Sequence, residues 1–160
     1  MIAGAVDEGI CLLEFHDRRM LPTQKERLMK HFEGELVESD HPHFGILEQE
    51  LNEYFDKKRK AFNVPITYPG SPFQIKTWNS LLQIPYGSTR TYAQQSEILG
   101  DKKAIRAMAK ANGDNRIAII IPCHRVIGSD GSMVGYGGKV WRKKALLELE
   151  GAIVKQGELF

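Results

Sequence analysis

Thr91-Tyr92-Ala93-Gln94-Gln95-Ser96-Glu97-Ile98-Leu99-Gly100-Asp101-Lys102-Lys103-Ala104-Ile105-Arg106-Ala107 reads as two short helices and the turn between them. Thr91 supplies an N-cap oxygen and Gln94, three residues on, the side chain that returns the bond, which is a capping box. The first helix then ends at Gly100, a residue free to take the left-handed conformation that closes helices. Asp101 caps a second helix through about Ala111. The pair is a helix-turn-helix, with residues 102 to 111 as its recognition helix. Ala104, Ala107 and Ala111 recur at helical spacing and give this helix one slim face. That face suits either close packing in a core or close approach to a groove in DNA, with Lys102 and Lys103 candidates for phosphate contact and Arg106, in isolation, an ordinary surface arginine.

Working outward, Ser71-Pro72-Phe73-Gln74 repeats the capping box with proline at the first helical position, and predicts a helix to about Gln83. Upstream, Met1 to Ala5 and Ile10 to Phe15 are apolar-rich segments around Asp7-Glu8-Gly9 and predict a β-hairpin. Pro22 to Phe32 and Phe44 to Phe55 space their apolar residues helically, and Val64 to Tyr68 is a candidate third strand. Lys57-Lys58-Arg59-Lys60 reads as a solvated turn or helix end. Local pattern changes near Gly70, dividing the chain into units 1–70 and 71–160.

Charge divides at the same place. Residues 1–70 hold 9 Lys and Arg against 13 Asp and Glu, whereas residues 71–160 hold 13 against 7. A basic second half is the direction expected if that half touches phosphate, although a solvated basic face has the same composition. At 160 residues and 42% hydrophobic the chain can bury a real core. Its two cysteines, in very different contexts, suggest a reducing compartment, and no apolar run approaches the ~18 residues of a membrane span. Met1 opens no charged-then-apolar secretory signal. These features predict a soluble cytoplasmic protein. His16, His41, His43 and Cys11 lack paired metal-ligand spacing, so neither zinc nor any other metal or cofactor is expected.

Chemistry concentrates at Ile121-Pro122-Cys123-His124-Arg125-Val126, just past an apolar run. A thiol attacks carbon as its thiolate, and a free cysteine with a pKa of about 8.5 is only a few per cent ionised at neutrality. His124 or Arg125 beside it could change that. The alternative is a buried thiol acting as a small hydrophobe, which fits Cys11 between Ile10 and Leu12.

Pro122-Cys123-His124-Arg125-Val126 resembles the active-site signature of the O6-alkylguanine-DNA alkyltransferases, which move an alkyl group from damaged DNA onto their own cysteine. From Phe73 to about Gly151 the order of elements is similar to that family's DNA-binding and transfer domain, with Tyr92, Arg106, Asn115, Tyr136 and Glu150 at family-like spacings. The resemblance implies a small α/β N-terminal domain related to ribonuclease H, followed by a mainly α winged helix-turn-helix domain. It also implies a monomer that binds double-stranded DNA containing O6-alkylguanine through the minor groove.

The roles implied are specific. Cys123 is nucleophile and acceptor, His124 takes its proton through water, and Glu150 stabilises the imidazolium. A base buried in the stack must first be rotated out. Arg106 fills the vacated space, Tyr92 crowds the phosphate and serves the departing guanine, and Arg125 joins the DNA-binding set. Backbone carbonyls of Cys123 and Val126 accept from the guanine amino group, while Tyr136 with Gly135, Gly137 and Gly138 forms the pocket's movable side. Asn115 fixes a turn by bonding to backbone. Arg116 stands where many relatives have proline, adding a phosphate contact or loosening the turn. Gly137 stands where some have serine, which removes a hydroxyl from the pocket. Lowering the thiol's pKa from about 8.5 to about 7 would raise its reactive fraction roughly tenfold.

The expected activity is a single-turnover reversal of O6-alkylguanine, and less efficiently of O4-alkylthymine. Two other readings compete. A lesion-binding sensor would need no cysteine, and a Cys-His hydrolase would need an oxyanion site and would turn over.

Overall fold

The computed structural model describes residues 1–100, 103–133 and 135–154. The expected hairpin forms from β1 (Ile2–Val6) and β2 (Gly9–Glu14), antiparallel with Ile2 opposite Glu14 and a register shift between Gly4 and Ala5. β2 is buried throughout, so it reads as a continuous apolar run rather than an alternating one. The candidate strand at Val64 to Tyr68 is reduced to one bridge, Ile66 beside Ile10. Ile10 N donates to Pro65 O at 2.8 Å and Thr67 N to Ile10 O at 2.9 Å. Pro65 has no N–H and cannot extend a ladder, which explains the truncation. A second bridge, Leu13 beside Ile117, joins the hairpin to the segment leading into the cysteine motif.

Helix α1 (Leu21–Phe32) carries Pro22 in its first turn, and α2 (Pro42–Phe55) is capped by His41, whose ring nitrogen accepts from His43 N. The basic run after α2 is only partly solvated. Lys58 pairs with Asp56 at the surface, but Arg59 folds back to Glu50 at 3.2 Å and Glu53 at 2.7 Å. Glu50 itself accepts from Asn63 N and Val64 N, closing the loop.

Helix α3 (Pro72–Leu82) begins with the predicted capping box complete in both directions. Its Trp78 is the largest fully buried side chain, with its indole N–H on Ala111 O at 2.8 Å. Gly70 is glycine because a Cβ there would stand 2.7 Å from the Trp78 ring. Truncating Trp78 to alanine would cost ~3–5 kcal/mol. Ile10, Leu13, Leu47 and Val64 share one apolar cluster with Trp78, Leu81, Ile117, Ile121 and Val126. The core therefore runs across the change of pattern at Gly70.

The two-residue strand β3 (Arg90–Thr91) leads into α4 (Tyr92–Ile98), again with both capping-box bonds present. Helix α5 (Ile105–Gly113) starts later than predicted, with Ala104 as an N-cap that makes no side-chain bond. The predicted cap Asp101, and Lys102, lie outside the described residues. A 3₁₀ turn (Cys123–Arg125) passes into β4 (Val126–Ile127), which pairs parallel with β3, and α6 (Val140–Leu149) follows. Small sheets and six helices make up the architecture among the described residues, and no helix there is long and apolar enough to cross a membrane.

Candidate active site

The apolar run before Cys123 is not a strand. It is a chain of tight turns: Ile120 N bonds to Ala118 O, Ile121 N to Ile117 O and Cys123 N to Ile121 O. Ile119 takes φ +73°, a left-handed conformation that costs a β-branched residue of order 1–3 kcal/mol. Asn115 holds the turns in place. Its Oδ1 accepts from Ile117 N at 3.0 Å and its Nδ2 donates to Ile121 O at 2.8 Å. The same Nδ2 lies 3.2 Å from Cys123 Sγ. Sequence reasoning foresaw the turn and missed the bond to sulfur.

Behind the thiol, His124 Nε2 lies 2.8 Å from Glu150 Oε1, with both side chains fully buried. Glu150 caps the end of α6, so the 26-position separation of these partners is spanned by β4, the glycine loop and the helix. Arg125 donates Nε to Glu150 Oε2 at 2.9 Å and Nη2 to Oε1 at 3.0 Å. Tyr54 donates its hydroxyl to Glu150 Oε1 at 2.7 Å. Burial alone would push Glu150 up, yet the bonds from His124, Arg125 and Tyr54 hold it down at about 2. An ionised carboxylate only accepts, so His124 Nε2 carries the proton in this pair and Nδ1 keeps its lone pair. Nδ1 is buried and has no hydrogen-bond partner among the described residues. Burial lowers the His124 pKa and keeps the ring neutral, more than Glu150 raises it.

The thiol is half-buried, and burial pushes its pKa up. Asn115, Arg18 and Lys143 act against that rise, and Glu14 adds to it. This cysteine rests as a thiol, because desolvation of the thiolate outweighs its neighbours. Its proton must leave as the reaction proceeds.

Arg125, expected at a DNA face, is buried instead, with its remaining Nη1 on Ile84 O at 2.6 Å. Arg116 is likewise turned inward, bonding Pro69 O and lying over the Trp78 ring, so neither a phosphate contact nor a loosened turn results. Both guanidinium groups neutralise or tie down interior oxygens, which stabilises more than an exposed contact would. Of the three alanines, Ala111 packs into the core, while Ala107 is exposed and Ala104 half-buried. The slim face thus serves both uses that its spacing allowed. Arg106 and Lys103 are exposed.

Opposite the thiol stand two phenols. Tyr92, in the first turn of α4, is pushed up by burial and by Cys123, and its hydroxyl faces Gly135, where a Cβ would lie 2.9 Å away. The Tyr136 hydroxyl is buried without a partner among the described residues, its pKa raised by burial and then by Cys123. Gly138 packs against the Tyr136 and Phe15 rings, and Gly137 against the Arg18 guanidinium. Sequence reasoning missed Lys143, which is wholly buried with Nζ on Val126 O at 2.5 Å and a pKa lowered to about 8 by burial. The available signal was its place on α6: Lys143, Leu147 and Glu150 follow at i, i+4 and i+7, one helix face.

These features define a protein with a helix pair beside a cysteine that is backed by a buried imidazole–carboxylate couple. Residues 72–152 match the family model of the 6-O-methylguanine DNA methyltransferase DNA-binding domain. The methylated-DNA--protein-cysteine methyltransferase of Mycobacterium bovis is 50% identical over 106 residues, covering 66% of this chain and 64% of that protein. The inducible enzyme of that name from Bacillus subtilis is 41% identical over 121 residues, 76% of this chain and 68% of that one. The crystal structure of Mycobacterium tuberculosis OGT in complex with DNA superposes with a TM-score of 0.79 at 36% identity, over 94% of this chain and 85% of the other. This chain belongs to the 6-O-methylguanine DNA methyltransferase family, and it spans just under two thirds of the length of the mycobacterial relatives it matches.

Proposed function

We propose that this chain repairs DNA by transferring an alkyl group from O6 of guanine, and less efficiently from O4 of thymine, to its own Cys123 in a single irreversible step. The observation that carries the proposal is a half-buried thiol adjacent in the chain to a neutral His124 whose Nδ1 has no hydrogen-bond partner among the described residues and whose Nε2 is fixed on an ionised Glu150. Sγ attacks the alkyl carbon in line, the S–C bond forms, and the C–O6 bond breaks with its electron pair leaving on guanine. The thiol proton passes through a bridging water to His124 Nδ1, and Glu150 stabilises the imidazolium. Tyr92 donates to the departing guanine. A thioether is a poor leaving group, so the product is permanent.

In this reading residues 1–70 form a unit related to ribonuclease H and residues 71–160 a winged helix-turn-helix that enters the minor groove. Ala107 allows close approach, Lys103 meets phosphate, and Arg106 fills the stack when the nucleotide rotates out. Tyr136, Gly137 and Gly138 line the base pocket, and the second lone pair of Val126 O receives the guanine amino group. The protein acts as a cytoplasmic monomer. Names of relatives and the exposed Arg106 and Lys103 on a basic half support this assignment.

Mixing the protein with excess duplex carrying O6-methylguanine tests the proposal. One guanine restored per protein molecule, followed by arrest, is the expected result. Continued turnover, which a Cys-His hydrolase would give, or tight binding without restoration, which a lesion sensor would give, overturns it.

A further inference from the structure

We propose that Arg18, contributed by the connection between β2 and α1, forms the cationic wall of the Cys123 pocket at Gly137, standing where a side chain at position 137 would otherwise project. A Cβ built on Gly137 falls within the Arg18 guanidinium, with both Nη atoms and Cζ as its nearest neighbours. Residue 137 and Arg18 therefore exclude one another. The absent side chain is a space already filled from 119 positions earlier in the chain.

Arg18 is built into that position. It is 8% exposed, lies 3.4 Å from the buried carboxylate of Glu14, and donates to Gly113 O at the end of α5. It is the Nε that faces Glu14 Oε2 at 3.4 Å, an ion pair without a well-aligned hydrogen bond among the described residues. Glu14 also accepts from Gln24 Nε2, which donates in addition to Asn115 O, the residue whose side chain reaches the sulfur. The neighbouring residues fasten the same loop. Asp17 bonds Lys139 at 2.6 Å and Arg142 at 2.7 Å, and Phe15 packs under Gly138 and the Arg142 guanidinium.

A fixed cation at this wall favours negative charge as it develops on sulfur or on a departing oxygen. The groups acting on the thiol from the packed elements are Glu14 of β2, Arg18, Asn115 and Lys143 of α6, with the phenols of Tyr92 and Tyr136 alongside. Of these, Arg18 is the charge supplied from the N-terminal half that favours the thiolate. Its action through that charge makes it a positioning and specificity residue, and the substrate side of the inference rests on the alkyl-transfer reading above.

Two measurements test it. Iodoacetamide labelling of Cys123 against pH requires no DNA. Arg18→Ala should move the half-point upward, by about one unit for a tenfold loss of thiolate at neutral pH, whereas Arg18→Lys should stay near wild type. If the alanine variant does not fold, Arg18→Gln carries the same comparison. An unmoved half-point overturns the proposal whether or not transfer from DNA is observed. In the transfer assay, Gly137→Ser and Arg18→Ala should each be slow and the double variant R18A/G137S faster than Gly137→Ser alone, because removing Arg18 relieves the clash with the new side chain. A double variant no faster than Gly137→Ser overturns mutual exclusion. A wild-type protein that leaves alkylguanine intact overturns the alkyl-transfer reading itself and leaves the labelling result standing.

Discussion

The two sides of Cys123 are built on opposite principles. On one side, Tyr54, His124, Arg125 and Glu150 form a buried polar network in which every carboxylate oxygen is engaged. On the other, the wall from Gly135 to Gly138 leaves the Tyr136 hydroxyl without a partner among the described residues and meets Arg18 and Tyr92 through bare backbone. A buried carboxylate bonded by three side chains is rigid, whereas an unsatisfied buried hydroxyl marks a place where something else is to bind. The difference assigns proton handling to the locked side and recognition to the yielding one.

Substitutions on the locked side should have the largest effects. Glu150→Ala strands Arg125 in the interior, and removing one member of a buried pair costs about 3–5 kcal/mol. Urea unfolding should show that loss, and the transfer rate should fall with it. A stability change no larger than that of a surface substitution would mean the network is not the anchor described here.

Acid should reproduce part of that effect without mutation. His124 is held neutral by burial, so its folded pKa lies below the ordinary value and the unfolded chain takes up the proton first. Stability is then lost as pH falls below about 6.5. Glu150, lowered to about 2, contributes stability that is complete above the usual carboxylate range. That contribution is lost between about pH 4.5 and about pH 2, some ~3 kcal/mol in all. Urea midpoints measured from about pH 7 downward should decline monotonically, and Glu150→Gln should flatten the lower part of the curve.

A matched pair of hydroxyl deletions sharpens the contrast. Tyr54→Phe removes a bond to a charged group and should cost about 1.5–3 kcal/mol. Tyr136→Phe removes a hydroxyl that has no partner among the described residues, and should leave stability within about 0.5 kcal/mol while altering transfer. Equal stability losses would erase the distinction between the two sides. The smallest effect on folding belongs to exposed Arg106. Arg106→Ala should leave the urea midpoint nearly unchanged, yet slow transfer from duplex DNA more than transfer from a free base analogue, since only the duplex needs its stack refilled.

Features set by short-range chemistry were legible in the sequence. Both capping boxes, at Ser71 with Gln74 and at Thr91 with Gln94, formed as written, because a side chain and its backbone target three residues away have few alternatives. The hairpin and the cysteine motif were legible for the same reason. What escaped depended on distance along the chain. Nothing near Glu150 announces Tyr54, 96 residues earlier, and nothing near Gly137 announces Arg18. Arg125 and Arg116 carry surface-type side chains, and only the position of Glu150, Pro69 and Trp78 turns them inward. The direction of the thiol's pKa was not legible, because adjacency to histidine is visible in sequence, whereas desolvation is a property of the folded surroundings.

Cys123 as both nucleophile and final acceptor is the central claim, and the mass of the protein after reaction with an O6-methylguanine duplex tests it most directly. The account predicts a gain of one methyl group per molecule, mapped to the peptide containing Cys123, with Cys11 unmodified because it is buried and its pKa is raised by that burial. Restored guanine with an unmodified protein, or methyl found on Cys11, would contradict it.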